Sequence, residues 1–410
     1  MNWVQMAAAA VTGVFALQGA PGPAVPSDGP RPVAAHSQTR AVPVAPGRRD
    51  AAVRLSATRP FSLLGVTWDD PRARLTGTAE FRTRSAVSGQ WSGWSALDAD
   101  DGPGDASARR GGTSAVWAGP SDGAEVRIVV DSDTTAVLPT GLRLDLIDPG
   151  GGTPVTPGTP GTSVTPGTPS APGTPGTPGT PGTPVIPAAG SPAQPADGGT
   201  GALAAVRPAI TSRAGWGADE SISPAAPQYL PGGKVKAVVV HHTAGSNAYA
   251  CADAPAVVRG IYAYHVQQLG WRDIGYNFLV DKCGTLYEGR KGGVDRPVLG
   301  AHAYGFNTET SGIAVLGTYT TAAPGEAVTS AVARLAAWKL GQYGVSPTGT
   351  TTLTAGADGT NYFGKAWTLG TRLSMPTIHG HRDGYNTQCP GDALYAELTR
   401  IRTLAAQAAG

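Results

Sequence analysis

The spacing of apolar residues changes twice along the chain, and each change marks a different kind of structure. Between about residues 51 and 148, apolar positions alternate with polar ones or cluster in short β-branched runs. Examples are Ala79-Glu80-Phe81-Arg82-Thr83-Arg84 and Glu125-Val126-Arg127-Ile128-Val129-Val130. Alternation with period two buries one face of a strand and leaves the other in water, so these runs predict strands. Turn-forming clusters separate them: Asp69-Asp70-Pro71, Ser88-Gly89, Asp101-Gly102-Pro103 and Gly119-Pro120-Ser121-Asp122-Gly123. No part of this stretch repeats with a helical period. The expectation is an N-terminal all-β, sandwich-like domain over residues 51–148. Its tryptophans, Trp68, Trp91, Trp94 and Trp117, either fill a small core or stack on the sugars of wall polymer, and both readings stay open. The stretch contains no His and no Cys, so no catalytic constellation is expected in it.

From residue 206 onward the pattern becomes mixed. Lys236-Ala237-Val238-Val239-Val240 is a continuous apolar run, the mark of a central strand covered on both faces. Residues 254–269 follow a helical period, with Val257, Ile261, His265 and Leu269 on one stripe and Asp253 placed to cap it. Tyr276-Asn277-Phe278-Leu279-Val280 and Ile313-Ala314-Val315-Leu316 read as two more buried strands. Helices are predicted over 329–343, stopped by Gly344, and over 392–406, with Leu394, Leu398 and Ile401 inward. The expected fold is a C-terminal α/β domain, 206–410, with a central mixed β-sheet flanked by helices.

Residues 149–205 join the two as a Pro/Gly/Thr-rich linker built on a repeated TPG unit, a low-complexity sequence that cannot form a core. Extended as polyproline II at roughly 3 Å per residue, it reaches on the order of 100 Å, useful to a protein that works on a large immobile polymer. At the other end, an apolar run from Met6 to Leu17 is too short to span a membrane and matches the centre of a signal peptide, assigned to residues 1–20. The basic residues that usually precede such a run are missing, since none occurs before Arg31. Residues 21–50, rich in Pro, Ala and Gly, are expected to be disordered. The chain is thus expected to be secreted and cell-wall associated, with no integral membrane segment. A net charge of +2 is too near neutral to argue for a nucleic-acid partner, so none is expected, and nothing points beyond a monomer.

Six of the seven histidines follow the linker: His241, His242, His265, His302, His379 and His381. Together with Cys389 they suggest a zinc site, because zinc takes imidazole nitrogen and thiolate sulfur and in catalytic centres keeps one position open. His241 and His242 end a buried strand, where α/β sheets place their sites. Adjacent strand residues face opposite ways, so one of the two is expected to bind metal. An odd count of three cysteines, Cys251, Cys283 and Cys389, fits one pair plus one metal-bound thiolate.

These residues sit in recognisable motifs. Val239-Val240-His241-His242-Thr243-Ala244-Gly245, Gly270-Trp271-Arg272-Asp273-Ile274-Gly275-Tyr276-Asn277-Phe278, Tyr287-Glu288-Gly289-Arg290, Gly300-Ala301-His302-Ala303, Ser311-Gly312-Ile313-Ala314-Val315 and Gly380-His381-Arg382-Asp383 occur in that order. The last 200 or so residues resemble the peptidoglycan recognition proteins, relatives of the bacteriophage T7-lysozyme-type amidases. The β domain and linker resemble those of secreted actinobacterial members. The resemblance implies that His241, His381 and Cys389 bind Zn2+, and that Tyr276 and Thr387 are catalytic. The implied activity is that of an N-acetylmuramoyl-L-alanine amidase, a zinc hydrolase that cuts between the lactyl group of N-acetylmuramic acid and the L-alanine of the stem peptide. The partner is then peptidoglycan, both glycan strand and stem peptide. The alternative is a non-catalytic peptidoglycan-binding or recognition protein, and family members of that kind typically lack the cysteine ligand that this chain has. A zinc peptidase cutting within the stem peptide is a third reading.

His242, His265, His302 and Arg290 are set down as substrate-binding candidates, each with a structural alternative: a backbone-bonded His242, a core-facing His265, a turn-bound His302. His379 is read as incidental. Cys251 and Cys283 flank the first helix and the second strand, and a disulfide between them is expected, which leaves Cys389 as the thiolate. The segment after Arg290 is longer than the family usually has, so no stem-peptide specificity carries over.

Overall fold

The computed structural model describes residues 31–45, 48–99, 104–130, 137–151 and 205–409. The signal peptide assigned to residues 1–20 and nearly all of the linker lie outside the described residues.

Eight strands form the N-terminal part: β1 (His36–Ala41), β2 (Asp50–Leu55), β3 (Phe61–Trp68), β4 (Thr78–Ser85), β5 (Ser95–Leu97), β6 (Gly111–Gly112), β7 (Val116–Val129) and β8 (Arg143–Asp148). Every pairing among them is antiparallel. The strands make one eight-stranded sheet, and the long strand β7 joins its two halves. Its first residues pair with β3, whereas Ala124 to Val129 lie between β2 and β4. Pro120, which has no N–H to give a ladder, falls between those two pairings, near register shifts in both β3 and β4. The two halves of the sheet share a core of Leu64, Val66, Leu144 and Leu146 with Phe81, Val126 and Ile128. Each such apolar side chain taken fully out of water contributes about 1.5–3 kcal/mol. Of the four tryptophans, Trp68 and Trp117 are buried, whereas Trp91 and Trp94 stay half-exposed under the guanidinium groups of Arg82 and its neighbours. One expectation is corrected: residues 36–41 belong to the stretch read as disordered, yet they form β1. That strand pairs with β8 from His36↔Asp148 to Ala41↔Arg143, which satisfies an edge the sheet would otherwise leave open.

The C-terminal part contains β9 (Ile210–Thr211), β10 (Ala237–His242), α1 (Ala254–Ala263), β11 (Phe278–Val280), β12 (Leu286–Glu288), β13 (Thr310–Val315), α2 (Glu326–Gly341) and β14 (Thr350–Thr354). Then follow β15 (Gly359–Thr360), β16 (Ala366–Trp367), β17 (Arg372–Pro376), β18 (Ile378–Gly380), α3 (His381–Gly384), α4 (Asp392–Ala396) and α5 (Leu398–Ala408). Six strands make the central mixed sheet, in the order β18-β10-β13-β11-β12-β9. Strands β10, β13, β11 and β18 run parallel, while β12 turns back antiparallel on β11. Along β10, Val238 and Val240 point into the core under α2 and α5, and Ala237 and Val239 into a separate cluster around Phe306 and Trp367.

The helix expected over 254–269 is α-helical only to Ala263. It then widens into a π turn, Tyr264–Gln268, in which Leu269 N–H reaches Tyr264 O at 3.1 Å. Asp253 does not cap it; its carboxylate accepts instead from Ala250 N–H at 3.1 Å. The last helix divides at Glu397 into α4 and α5. Cys251 and Cys283 form a disulfide that ties the start of α1 to the turn after β11. Among the described residues, no helix is long and apolar enough to cross a membrane.

The two parts share a core. Leu63, Ala115, Trp117 and Ile147 from the β domain lie in one buried cluster with Val257, Ile261 and Tyr264 of the helix. Tyr264 donates its hydroxyl to Thr113 O at 3.0 Å and Val66 O at 3.2 Å, and Arg259 donates to Pro149 O, Gly150 O and Trp216 O.

Candidate functional site

Parallel pairing brings two of the candidate ligands together. β10 and β18 run side by side in register up to Val240↔Gly380, so the next residue of each, His241 and His381, emerges at the same edge of the sheet. Their ring centroids are 4.5 Å apart. The chain after β18 turns through α3 and comes back, Arg382 N–H donating to Cys389 O at 3.0 Å, which sets Cys389 beside the strand end. Its Sγ lies 3.7 Å from His241 Nδ1 and accepts from His242 N–H at 3.4 Å. The three ligand atoms of His241, His381 and Cys389 all fall within 4.8 Å of one another. Two imidazoles and one thiolate are the donors zinc takes, and a tetrahedral Zn–N and Zn–S pair separates N from S by about 3.6 Å. The residues present therefore fit that ion. Burial, reinforced by the neighbouring histidines, lowers His241 well below the usual imidazole range. Burial likewise holds His381 down at about 3, so both rings are neutral near pH 7, the form that donates to a metal.

The surroundings fix each ring. His302 Nδ1 lies 3.1 Å from His241 Nε2, which turns His241 Nδ1 toward the cysteine. The loop bearing His302 is held in turn by Asn307 Oδ1, which accepts from the N–H groups of His302 and Ala303. Glycine is required at position 312 of β13, because a Cβ there would come within 2.4 Å of the His302 ring. His242 points to the opposite face, accepts from Tyr319 N–H at 3.2 Å through Nδ1, and has its Nε2 4.0 Å from Asp98. His265 stacks on Trp271 with centroids 4.3 Å apart and accepts from Gly275 N–H at 3.1 Å. His379 donates through Nδ1 to Pro376 O at 2.8 Å. The ring of Tyr276 is 5.4 Å from that of His241, and the hydroxyl of Thr387 accepts from Cys389 N–H at 3.1 Å. Arg290 is buried and paired with Asp105 of the β domain.

A small cavity of about 40 Å3 adjoins the cluster, lined on one side by His241, His265, Tyr276 and His302 and on the other by Thr113 and Ser114. The β domain, in which no catalytic constellation is expected, thus contributes Thr113 and Ser114 to the wall of this cavity. No spacing or motif in that stretch signals this, because the contacts depend on how two distant segments pack.

The buried histidines make stability depend on pH. Burial, then the charge of Arg290, lowers His265 to about 3, whereas in the unfolded chain the ring titrates near 6.5. The folded state therefore resists protons that the unfolded state takes up, and stability is lost as pH falls from about 6.5 toward 3. The expected result is a Tm that declines steadily across that window. In His265→Gln, which keeps an acceptor for Gly275 N–H, the decline is shallower. A calorimetric Tm independent of pH between 6.5 and 4 would contradict this.

Residues 231–392 match the family described as N-acetylmuramoyl-L-alanine amidase, and residues 23–157 match one described as Rv3811 N-terminal galactose-binding domain-like. Peptidoglycan-recognition protein SC2 of Drosophila simulans is 32% identical over 198 residues, covering 48% of this chain and 88% of that protein. The chain belongs to the peptidoglycan recognition protein and amidase-2 family. Human peptidoglycan recognition protein 3 is also 32% identical, over 190 residues, which span 46% of this chain and 45% of that protein. The solved structure of wild-type Drosophila PGRP-LB overlaps 47% of this chain and 92% of its own, at 26% identity and a TM-score of 0.36. Family membership makes this a peptidoglycan-related protein, as an amidase or in recognition. The His241, His381 and Cys389 cluster lies inside the matched amidase segment.

Proposed function

We propose that the chain is a zinc-dependent N-acetylmuramoyl-L-alanine amidase, secreted and associated with the cell wall. The observation that carries this reading is the convergence of two imidazoles and a cysteine sulfur within 4.8 Å, beside Tyr276. Pure recognition of peptidoglycan has no need of a buried cysteine beside two neutral histidines. His241, His381 and Cys389 would hold zinc, which when bound supplies Lewis-acid polarisation and activation of water. The remaining work falls to side chains. His302 fixes the ring orientation of His241, and the Thr387 hydroxyl anchors the backbone of Cys389. Tyr276 would donate a hydrogen bond to the oxygen of the lactyl carbonyl as negative charge grows there. In this reading the β domain, residues 51–148, and the linker, 149–205, tether a monomeric amidase domain, 206–410, to its polymer.

Product mass tests the proposal. Purified sacculi incubated with the zinc-loaded protein are expected to release stem peptides beginning with L-alanine and to leave a lactyl carboxylate on the glycan. Peptides cut internally would point to a peptidase instead. Binding of sacculi with no release would leave the recognition reading. Tyr276→Phe is expected to lower kcat by about 10²-fold with zinc content unchanged, as loss of one oxyanion donor does. An unaltered kcat would remove Tyr276 from that role.

A further inference from the structure

The site as folded is too small for its substrate. Its three ligand residues are only 1–2% exposed, and the adjoining cavity of about 40 Å3 has space for little more than one or two waters. Sites for small organic ligands run to about 300–1,000 Å3. Residues 112–115 of the β domain supply one wall of the cavity. Beyond a neck at Gly104, Ala301 and Tyr304, a cleft of about 690 Å3 opens between the two domains. The neck is tight: a Cβ on Gly104 would stand 2.0 Å from the Trp271 ring.

Next to Gly104 is Asp105, whose carboxylate holds Nη2 of Arg290 across 185 residues of sequence. Both side chains are buried, at 5% and 8% exposure. Arg290 is fixed to the segment that carries Tyr276, since its backbone N–H donates to Tyr276 O at 2.8 Å. Its Nη1 is buried and has no hydrogen-bond partner among the described residues. Asp105 therefore uses one arm of a fork that could take a carboxylate with both. Stem peptides carry free carboxylates. Resting on the proposed substrate class, we propose that residues 104–115 are an intramolecular occupant of the substrate groove. Asp105 holds Arg290 in place of a stem-peptide carboxylate, and substrate binds only as Asp105 leaves.

The test measures binding by the 410-residue chain of a soluble N-acetylmuramyl tripeptide with free carboxylates, and of the same compound with its carboxylates amidated. Mass spectrometry on the same samples reads turnover separately. If the occupied form makes up nine-tenths of the protein, removing the occupant tightens apparent binding about tenfold. Asp105→Ala and Asp105→Asn are both expected to lower Kd for the free-carboxylate probe by about that factor and to change it much less for the amidated probe. The Asn variant keeps an acceptor for Ser107, so it covers the case in which the Ala variant folds poorly. Arg290→Ala is expected to erase the difference between the probes. Unchanged or weaker binding of the free probe in a folded Asp105→Asn variant overturns the proposal. Probe that binds as expected but is never cut removes the amidase reading alone. Probe that is cut, with a Kd indifferent to Asp105, removes this one alone.

Discussion

Cys389→Ala is expected to leave the protein with little zinc and to cut release of stem peptides by on the order of 10³-fold. Loss of a partner that merely orients a ligand costs about 10- to 100-fold in metal affinity or activity, and loss of one of three direct ligands costs more. The thiolate also has a structural part, because its sulfur accepts from His242 N–H at 3.4 Å in a buried setting. Removing it leaves that donor unsatisfied, at about 1–3 kcal/mol. Cys389→Ser separates the two roles, since its oxygen retains an acceptor but is a poor zinc ligand. It is expected to recover stability and very little activity. Zinc per chain by atomic spectroscopy, Tm and product mass together decide the matter. A Cys389→Ala protein that cuts sacculi at the wild-type rate while holding less than a tenth of the zinc would refute the metal mechanism.

The apolar run of β10 made the centre of the sheet readable, and the alternation of its residues correctly set His241 and His242 on opposite faces. The approach of His381 to His241 was not readable from spacing, because it depends on parallel register between strands that begin about 140 residues apart. The ordered motifs supplied it through resemblance. Helix ends were less legible. The π turn at Tyr264 and the division at Glu397 arise from packing that overrides a uniform helical period. Least legible was the β domain's share of the site. Asp105 and Thr113 sit among turn-forming residues of unremarkable pattern, and their significance appears only when the two domains share a core.

That shared core predicts the second large effect. Tyr264 is wholly buried in it, and its hydroxyl donates to Val66 O and Thr113 O, both on the other side of the domain boundary. Tyr264→Ala removes the ring as well, and replacing a buried aromatic by alanine costs about 3–5 kcal/mol. Tyr264→Phe keeps the ring and takes the hydroxyl donor from Thr113 O, while Val66 O keeps the N–H of Thr113 at 2.9 Å, for about 1–3 kcal/mol. Where that loss appears depends on what Tyr264 holds. The ring belongs to the cluster that joins Leu63 and Ile147 of the β domain to Ile261, Leu279 and Ala314 of the α/β domain, and its hydroxyl bonds only β-domain carbonyls. Destabilisation should therefore fall on the docking of one domain against the other. Calorimetry of the wild type is expected to show one transition spanning both domains. Tyr264→Ala should split it, with the β domain and the α/β domain each melting near its own intrinsic temperature. A single transition, lowered as a whole, would mean that the two domains cannot exist apart. An unshifted single transition would mean that Tyr264 does not couple them. Closure of the site depends on the same docking, because Thr113 both accepts the tyrosine hydroxyl and lines the cavity beside His241. Tyr264→Phe should thus bind the soluble muramyl tripeptide more tightly than wild type while melting at a lower temperature, a pairing of gain and loss that a purely structural tyrosine does not produce.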